Sequence, residues 1–305
     1  MQSIRIGKNG PRASRLAYGC MRIAGDGSHD AIARGKRAVH AAVDAGFTLF
    51  DHADIYAGGA CEKLFGECLR ESPGLRDRIL VMGKCGIRPG GKPKKDSPQR
   101  YDFSRAHLEQ SVDGSLRRLG IEGLDLLLLH RPDYLMDAAE VADVFAALQA
   151  AGKVEHFGVS NFSPGQLELL QSACSQPLLV NQVEINLHTI TALQDGTVDQ
   201  CQRLGVTPQA WCPLGGVAYP AWGNTLSPEA ARRLGKEIDR QAGDYGTDVA
   251  SIALAWLLRH PAKICPLIGS ATPERIAVAP RALDLDYRRE DWYRLLEART
   301  GRPVP

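Results

Sequence analysis

Four side chains of acid–base character follow short apolar runs. Asp51 ends Thr48-Leu-Phe-Asp and Tyr56 comes five residues later; Lys84 lies two beyond Ile79-Leu-Val-Met, and His130 directly follows Leu124-Asp-Leu-Leu-Leu-Leu. A carboxylate, a phenol, an ammonium and an imidazole are the groups with which proteins donate, hold and accept protons. Other residues able to hold a ligand close further runs: Gly19 and Met21, Ser160 and Asn161, Gln182, Trp211, and Gly269 with Ser270. Polar groups at strand ends cost free energy if buried without partners, so their recurrence at one end after another has the form of a site. Singly, each has a plainer reading. A Tyr after a strand packs, a Lys is solvated, Asp51 caps a turn, and His130 is a satisfied core imidazole.

The elements that would position them alternate along the chain. Short apolar runs bounded by Gly, Pro, Asp or Asn read as strands covered on both faces: Leu16-Ala-Tyr-Gly, Thr48–Asp51, Ile79–Met82, Leu124–Leu129, His156–Ser160, Leu179–Val183, Thr207–Trp211 and Ile264–Ile268. Helical periodicity fills the gaps, as in Ala31–Ala45, Ala106–Leu119, Asp137–Ala151, Pro228–Gln241 and Asp248–Arg259. Eight βα units imply a parallel sheet with helices outside, and their number favours a closed (β/α)8 TIM barrel over an open doubly wound sheet. No Gly-x-Gly-x-x-Gly follows the first strand, which weakens the open alternative. The start, Ile4-Arg-Ile with Arg12-Ala-Ser, predicts a hairpin, and residues 1–305 read as one domain. In a barrel of this kind the chemistry belongs to the loops at the strands' C-terminal ends.

Composition narrows the classes. Thirty-seven Lys and Arg against 35 Asp and Glu, a net charge of +2, make no case for nucleic acid or membrane as a partner. The eight cysteines form no Cys-x-x-Cys pair and have no His at zinc-like spacing, so free thiols in a reducing compartment are expected rather than a metal site. Met1–Gly10 lacks an apolar core, no apolar run approaches the ~20 residues of a membrane span, and a cytoplasmic location is expected.

Read in order, the segments resemble the aldo-keto reductase family. The resemblance runs through Gly46-Phe47, Asp51-His52-Ala53-Asp54-Ile55-Tyr56, Glu62 and Phe65-Gly66, then Gly83-Lys84-Cys85 and Leu129-His130-Arg131-Pro132. It continues in Gly158-Val159-Ser160-Asn161-Phe162, Asn181-Gln182-Val183-Glu184, Trp211-Cys212-Pro213-Leu214-Gly215 and Ile268-Gly269-Ser270 with Pro273-Glu274-Arg275-Ile276. His130-Arg-Pro-Asp, Trp211-x-Pro-Leu-Gly-Gly and the tail from Trp292-Tyr293 to Val304-Pro305 resemble its bacterial YdhF-type branch.

The resemblance implies reduction of an aldehyde or ketone by NADPH, with Asp51, Tyr56, Lys84 and His130 as the catalytic tetrad and Tyr56 as proton donor. Each role is physically sound. A free phenol has a pKa of about 10, and an ammonium about 4 Å away at an effective dielectric near 20 would favour phenolate by ~4 kcal/mol, or roughly three pKa units. Asp51 would offset part of that field while keeping a buried Lys84 charged. His130 would hydrogen-bond the substrate oxygen.

By the same route Ser160, Asn161 and Gln182 would hold the nicotinamide carboxamide, and Trp211 would stack on its ring. Gly19, Met21, Pro213, Leu214 and Gly269 complete the implied cofactor set. Ser270, Thr272 and Arg275 stand where the family binds the adenosine 2′-phosphate, for which an Arg is a suitable partner. The sequence departs from the pattern at Gly269, where many NADP-dependent members have Lys, and at Val278-Ala279, which replaces an acidic-amide pair. NADP is still favoured over NAD. A nicotinamide-binding regulatory subunit on the same fold is the alternative, since such subunits keep a competent site; an isomerase on the same barrel would leave Trp211 and the tetrad spacing unexplained. Substrate choice is expected in the loops Arg22–Asp30, Arg88–Tyr101, His188–Gly196 and Gly216–Asn224, where Tyr219 and Trp222 could wall a pocket and Arg22 and Arg131 could attract an acidic substrate. Neither the substrate nor the oligomeric state follows from the sequence.

Overall fold

The run from Leu124 to Leu129 has no polar face, and a strand can hold it only if both faces are covered. In the computed structural model, which describes residues 1–217 and 226–305, that is its setting. The strands in chain order are β1 (Ser3–Arg5), β2 (Arg12–Ser14), β3 (Ala17–Gly19), β4 (Leu49–Asp51), β5 (Leu80–Cys85), β6 (Ile87–Arg88), β7 (Arg100–Tyr101), β8 (Leu124–Leu129), β9 (Val154–Ser160), β10 (Leu178–Glu184), β11 (Thr207–Trp211) and β12 (Cys265–Ile268). β3, β4, β5 and β8 to β12 pair in sequence order, all parallel, and β12 returns to β3 to close the barrel. All eight expected runs are barrel strands.

The helices are α1 (His29–Asp44), α2 (Ala60–Glu71), α3 (Arg105–Leu119), α4 (Ala138–Ala150), α5 (Pro164–Ala173), α6 (Thr197–Leu204), α7 (Pro228–Asp244), α8 (Val249–Leu258), α9 (Pro273–Val278) and α10 (Arg289–Thr300). Their starts follow the capping chemistry of the sequence. Asp137 accepts from the amides of Ala139 (2.9 Å) and Glu140 (3.2 Å), and Ser163 with Gln166 forms a capping box before Pro164. Among the described residues no helix is long and apolar enough to cross a membrane.

Two-residue alternation sorts each strand between layers. Phe50, Val81, Leu127, Leu129, Phe157 and Val159 pack outward against the helices. Leu49, Met82, Leu126, Leu128, Val180 and Leu267 pack inside the barrel, with Ile4 and Ile6 of the N-terminal segment among them. The expected hairpin is present, pairing Ser3 with Ser14 antiparallel, and its apolar side belongs to the interior cluster. At the C-terminal end of the chain, Trp256 of α8 and Trp292 of α10 stack at 5.0 Å and 7°, and each indole N–H donates to the other's carbonyl. That pairing fixes α10 against the barrel wall.

A second hairpin was not expected. β6 and β7 pair antiparallel, Ile87 with Tyr101 and Arg88 with Arg100, and so give the segment read as an open loop two paired stems. Tyr219, Trp222 and most of the Gly216–Asn224 loop lie outside the described residues.

Candidate active site

The alternation that fills the barrel also places the polar residues. Inward positions two apart run Leu49 then Asp51 on β4, Leu80, Met82 then Lys84 on β5, Leu126, Leu128 then His130 past β8, and Val180 then Gln182 on β10. Apolar layers thus give way at the C-terminal end to a polar one. Asp51, Lys84 and Gln182 are each at most 2% exposed.

Lys84 Nζ donates to Asp51 Oδ1 in a short contact and to the carbonyl of His52 at 2.9 Å. Gln182 Nε2 donates to the same Asp51 oxygen at 3.0 Å and to Gln209 Oε1 at 3.0 Å. Tyr56 opens a tight turn, Tyr56–Gly59, and the loop before it is tied to β5: His52 N donates to Met82 O (2.7 Å) and Asp54 N to Lys84 O (3.0 Å). This brings the Tyr56 ring to 5.1 Å from Lys84 Nζ, with the His130 ring edge-on at 5.8 Å and 83°.

Burial and the Asp51 carboxylate push the Tyr56 phenol well above its ordinary range, with Arg131 opposing. This corrects the expectation that Lys84 would lower it. Desolvation is the largest cause and decides the sign, and the Asp51 carboxylate adds to it. Tyr56 is therefore a protonated phenol at neutral pH, the form a proton donor needs. Burial also lowers Lys84, and Asp51 resists that shift as expected. His130 is held well below its ordinary value by burial, then by Lys84 and Arg131, so it is a neutral imidazole.

A cavity of about 830 Å3 opens above this layer, and every expected site residue except Lys84 and Thr272 lines it. Lys84 sits behind Asp51 and Tyr56; Thr272 is exposed at the start of α9. Ser160 Oγ donates to Gln182 O (2.8 Å) and accepts from Asn161 Nδ2 (2.8 Å), while Asn161 Oδ1 accepts the Trp211 indole N–H at 2.9 Å. Asn161 is in the left-handed region, φ 60°, which an Asn tolerates and which its side-chain bonds to Ser160 and the His130 carbonyl hold in place.

Glycine backbone forms one wall of the cavity. An added Cβ at Gly19 would meet nothing closer than Gly269 Cα at 3.7 Å and Ile268 O at 3.8 Å, so bare backbone lines that wall. Beside Gly269, Arg22 donates to its carbonyl at 3.3 Å, and a Cβ there would lie 3.3 Å from the same guanidinium. A cation thus stands next to the position where the sequence lacks the family's Lys. Ser270 Oγ accepts from Thr272 N at 3.1 Å, and Arg275 lines the same end.

Gln99 and Tyr101 line the cavity from the Arg88–Tyr101 loop expected to set substrate choice; Ile87 of β6, Asp248 at the start of α8, and Ala250, Ser251 and Leu254 within it were not foreseen. Behind Tyr56 lies a second polar group. Glu62, fully buried, accepts from Arg118 Nε at 2.6 Å, while burial and then Glu62 raise Asp54 to about 7, against a hydrogen bond from Ser111. A carboxyl raised on folding stabilises the fold while protonated in both states and loses that contribution as pH rises from about 4 to about 7. Asp54→Asn is expected to raise the melting temperature relative to the wild type at pH 8 and to raise it less at pH 5. Thermal melts at both pH values check this, and an equal shift at both would contradict it.

A closed parallel barrel with these groups converging on one cavity is the architecture of the aldo/keto reductase family, whose sequence profile matches residues 15–299, and the chain belongs to that family. It is 41% identical to the 6-dehydroglucose reductase of Agrobacterium fabrum over 294 residues, 95% of this chain and 96% of that one. It is 40% identical to the oxidoreductase YdhF of Escherichia coli over 307 residues, the full length of both. Among solved structures it superposes on the glycerol dehydrogenase AKR11B4 of Gluconobacter oxydans with a TM-score of 0.85 at 26% identity, covering 99% of this chain and 97% of that one.

Proposed function

We propose that this protein reduces an aldehyde to the alcohol with NADPH, Tyr56 donating the proton, and that it belongs to the YdhF-type branch of its family. The observation that carries this reading is that Tyr56, Asp51 and His130 meet at the cavity, with Lys84 behind them bonded to Asp51. NADPH, when bound, supplies the hydride. The chain's own residues do the rest. Neutral His130 orients the carbonyl oxygen, Tyr56 holds the proton that oxygen takes, and the Lys84–Asp51 pair holds a fixed dipole beneath the phenol. Ser160, Asn161 and Gln182 would hold the carboxamide by exchanging bonds they now make with one another, and Trp211 would cover the ring. Arg275 and Arg22 favour the phosphorylated cofactor, since both line the cavity with Gly269 and Ser270 and Arg22 donates to the Gly269 carbonyl.

The substrate class best supported is a small polyhydroxylated aldehyde. Two relatives, the Agrobacterium fabrum protein and one of Novosphingobium aromaticivorans at 38% identity, are named for reduction of 6-dehydroglucose. The test is nicotinamide absorbance across sugar aldehydes, simple aldehydes and ketones. NADPH should exceed NADH in kcat/KM, and Arg275→Ala should narrow that ratio mainly by raising the KM for NADPH. A preference untouched by Arg275→Ala would place the reading of the 2′-phosphate elsewhere, and no NADPH oxidation with any carbonyl would end the reductase reading.

A further inference from the structure

Arg131 follows His130 directly past the end of β8 and lines the cavity, half-buried. Its guanidinium lies over the face of Trp211, 5.4 Å from the ring centre. Among the described residues no carboxylate pairs with it. The nearest in sequence, Asp133, instead accepts from the amides of Phe103 and Leu135, each at 3.0 Å, and Asp51 is engaged by Lys84 and Gln182. Its charge is felt at both Tyr56 and His130, so it stands beside the groups that would hold the carbonyl.

A guanidinium presents five N–H donors in a fixed plane and no acceptor. Stacked on an indole it is pre-organised, so little further freedom is lost when it binds. A half-buried Arg that lines a cavity and has no acidic partner is suited to recognise oxygen acceptors on a ligand. Gln99 and Tyr101 of the β6–β7 hairpin line the same cavity and would supply further hydrogen bonds to such a ligand.

We infer that Arg131 is a specificity-determining residue that binds an oxygen of the substrate, hydroxyl or carboxylate, near the reacting carbonyl. This rests on the reductase reading above. It gives that reading a chemical requirement: aldehydes bearing a second oxygen function are preferred over plain ones of similar size.

The test compares wild type, Arg131→Met and Arg131→Lys on propanal, glyceraldehyde and succinic semialdehyde. Any change that Arg131→Met makes to Tyr56 or His130 acts on all three substrates and cancels in ratios. The expected result is that the kcat/KM ratio of an oxygen-bearing aldehyde over propanal falls about tenfold in Arg131→Met, the scale of a lost charge-assisted hydrogen bond, chiefly through KM. Glyceraldehyde falling more assigns a hydroxyl as the acceptor, succinic semialdehyde falling more a carboxylate. Arg131→Lys should recover part of the ratio. Unchanged ratios in Arg131→Met overturn the inference while leaving the reductase reading intact. So does a raised Kd for NADPH, measured by quenching of protein fluorescence, which would place Arg131 in the cofactor site. A wild type that oxidises NADPH with none of the aldehydes overturns the reductase reading and this inference with it.

Discussion

Lys84→Met is expected to remove most turnover and to destabilise the protein, and the two effects should separate in a double variant. Methionine leaves the Asp51 carboxylate buried, 2% exposed, with only Gln182 donating to it. Removing one partner of a buried ion pair costs about 3–5 kcal/mol, because the remaining charge stays desolvated. Asp51→Asn is milder. The Asn oxygen can still accept from Gln182, while Lys84 loses the carboxylate that opposes its desolvation and drifts toward the neutral amine. In Lys84→Met with Asp51→Asn the orphaned charge is gone, so the denaturation midpoint should move back toward the wild type. Turnover should fall little below that of Lys84→Met alone, since Asp51 acts through Lys84. Denaturant melts and kcat on all four proteins decide the matter, and activity losses that simply add would rule out a coupled pair.

Tyr56→Phe should lower turnover by at least about a hundredfold, the scale of a lost general acid. The ring keeps its edge contact with His130 and its face toward Lys84, so the melting temperature and cofactor affinity should hold. A near wild-type rate would remove Tyr56 from the chemistry. The pH profile adds a second readout. The phenol is held up and the imidazole down, so neither changes protonation around neutral pH and neither gives the reduction rate a slope there. Asp54, two residues before Tyr56 and raised to about 7, titrates in that window. A limb in kcat near pH 7 should therefore vanish in Asp54→Asn.

The barrel was legible because parallel strands covered on both faces must be continuous apolar runs, and Leu124–Leu129 admits little else. The inward placement of Asp51 and Lys84 was legible for a related reason. Asp51 and Lys84 stand at the inward phase of runs whose earlier inward residues, Leu49 and Met82, are apolar. What stayed hidden depends on distance. The sequence puts Asp51 and Lys84 together beside Tyr56; only coordinates reveal that burial governs the phenol. The β6–β7 hairpin was hidden because its stems are two residues each and the connecting segment, rich in Gly, Pro and Lys, reads as loop. Gln99 and Tyr101 reach the cavity only through that pairing. Arg131 reads in the sequence as a cation that could attract an acidic substrate, and the structure places it over Trp211 at the cavity.

The bond from Gln182 to Asp51 joins residues 131 apart in sequence, and the bond from Tyr18 to the Ser270 carbonyl joins residues 252 apart. The hairpin, too, is tied across the chain, with Gly7 N donating to Thr207 Oγ1. Contacts of such separation form late, since the loop entropy they close must be overcome first. Gln182 lies on β10, after all four of these residues, so an N-terminal fragment emerging during synthesis holds Asp51, Tyr56, Lys84 and His130 before the strand that completes their layer. Regain of activity on refolding thus serves as a clock for barrel closure itself, running behind any signal that reports only helix formation.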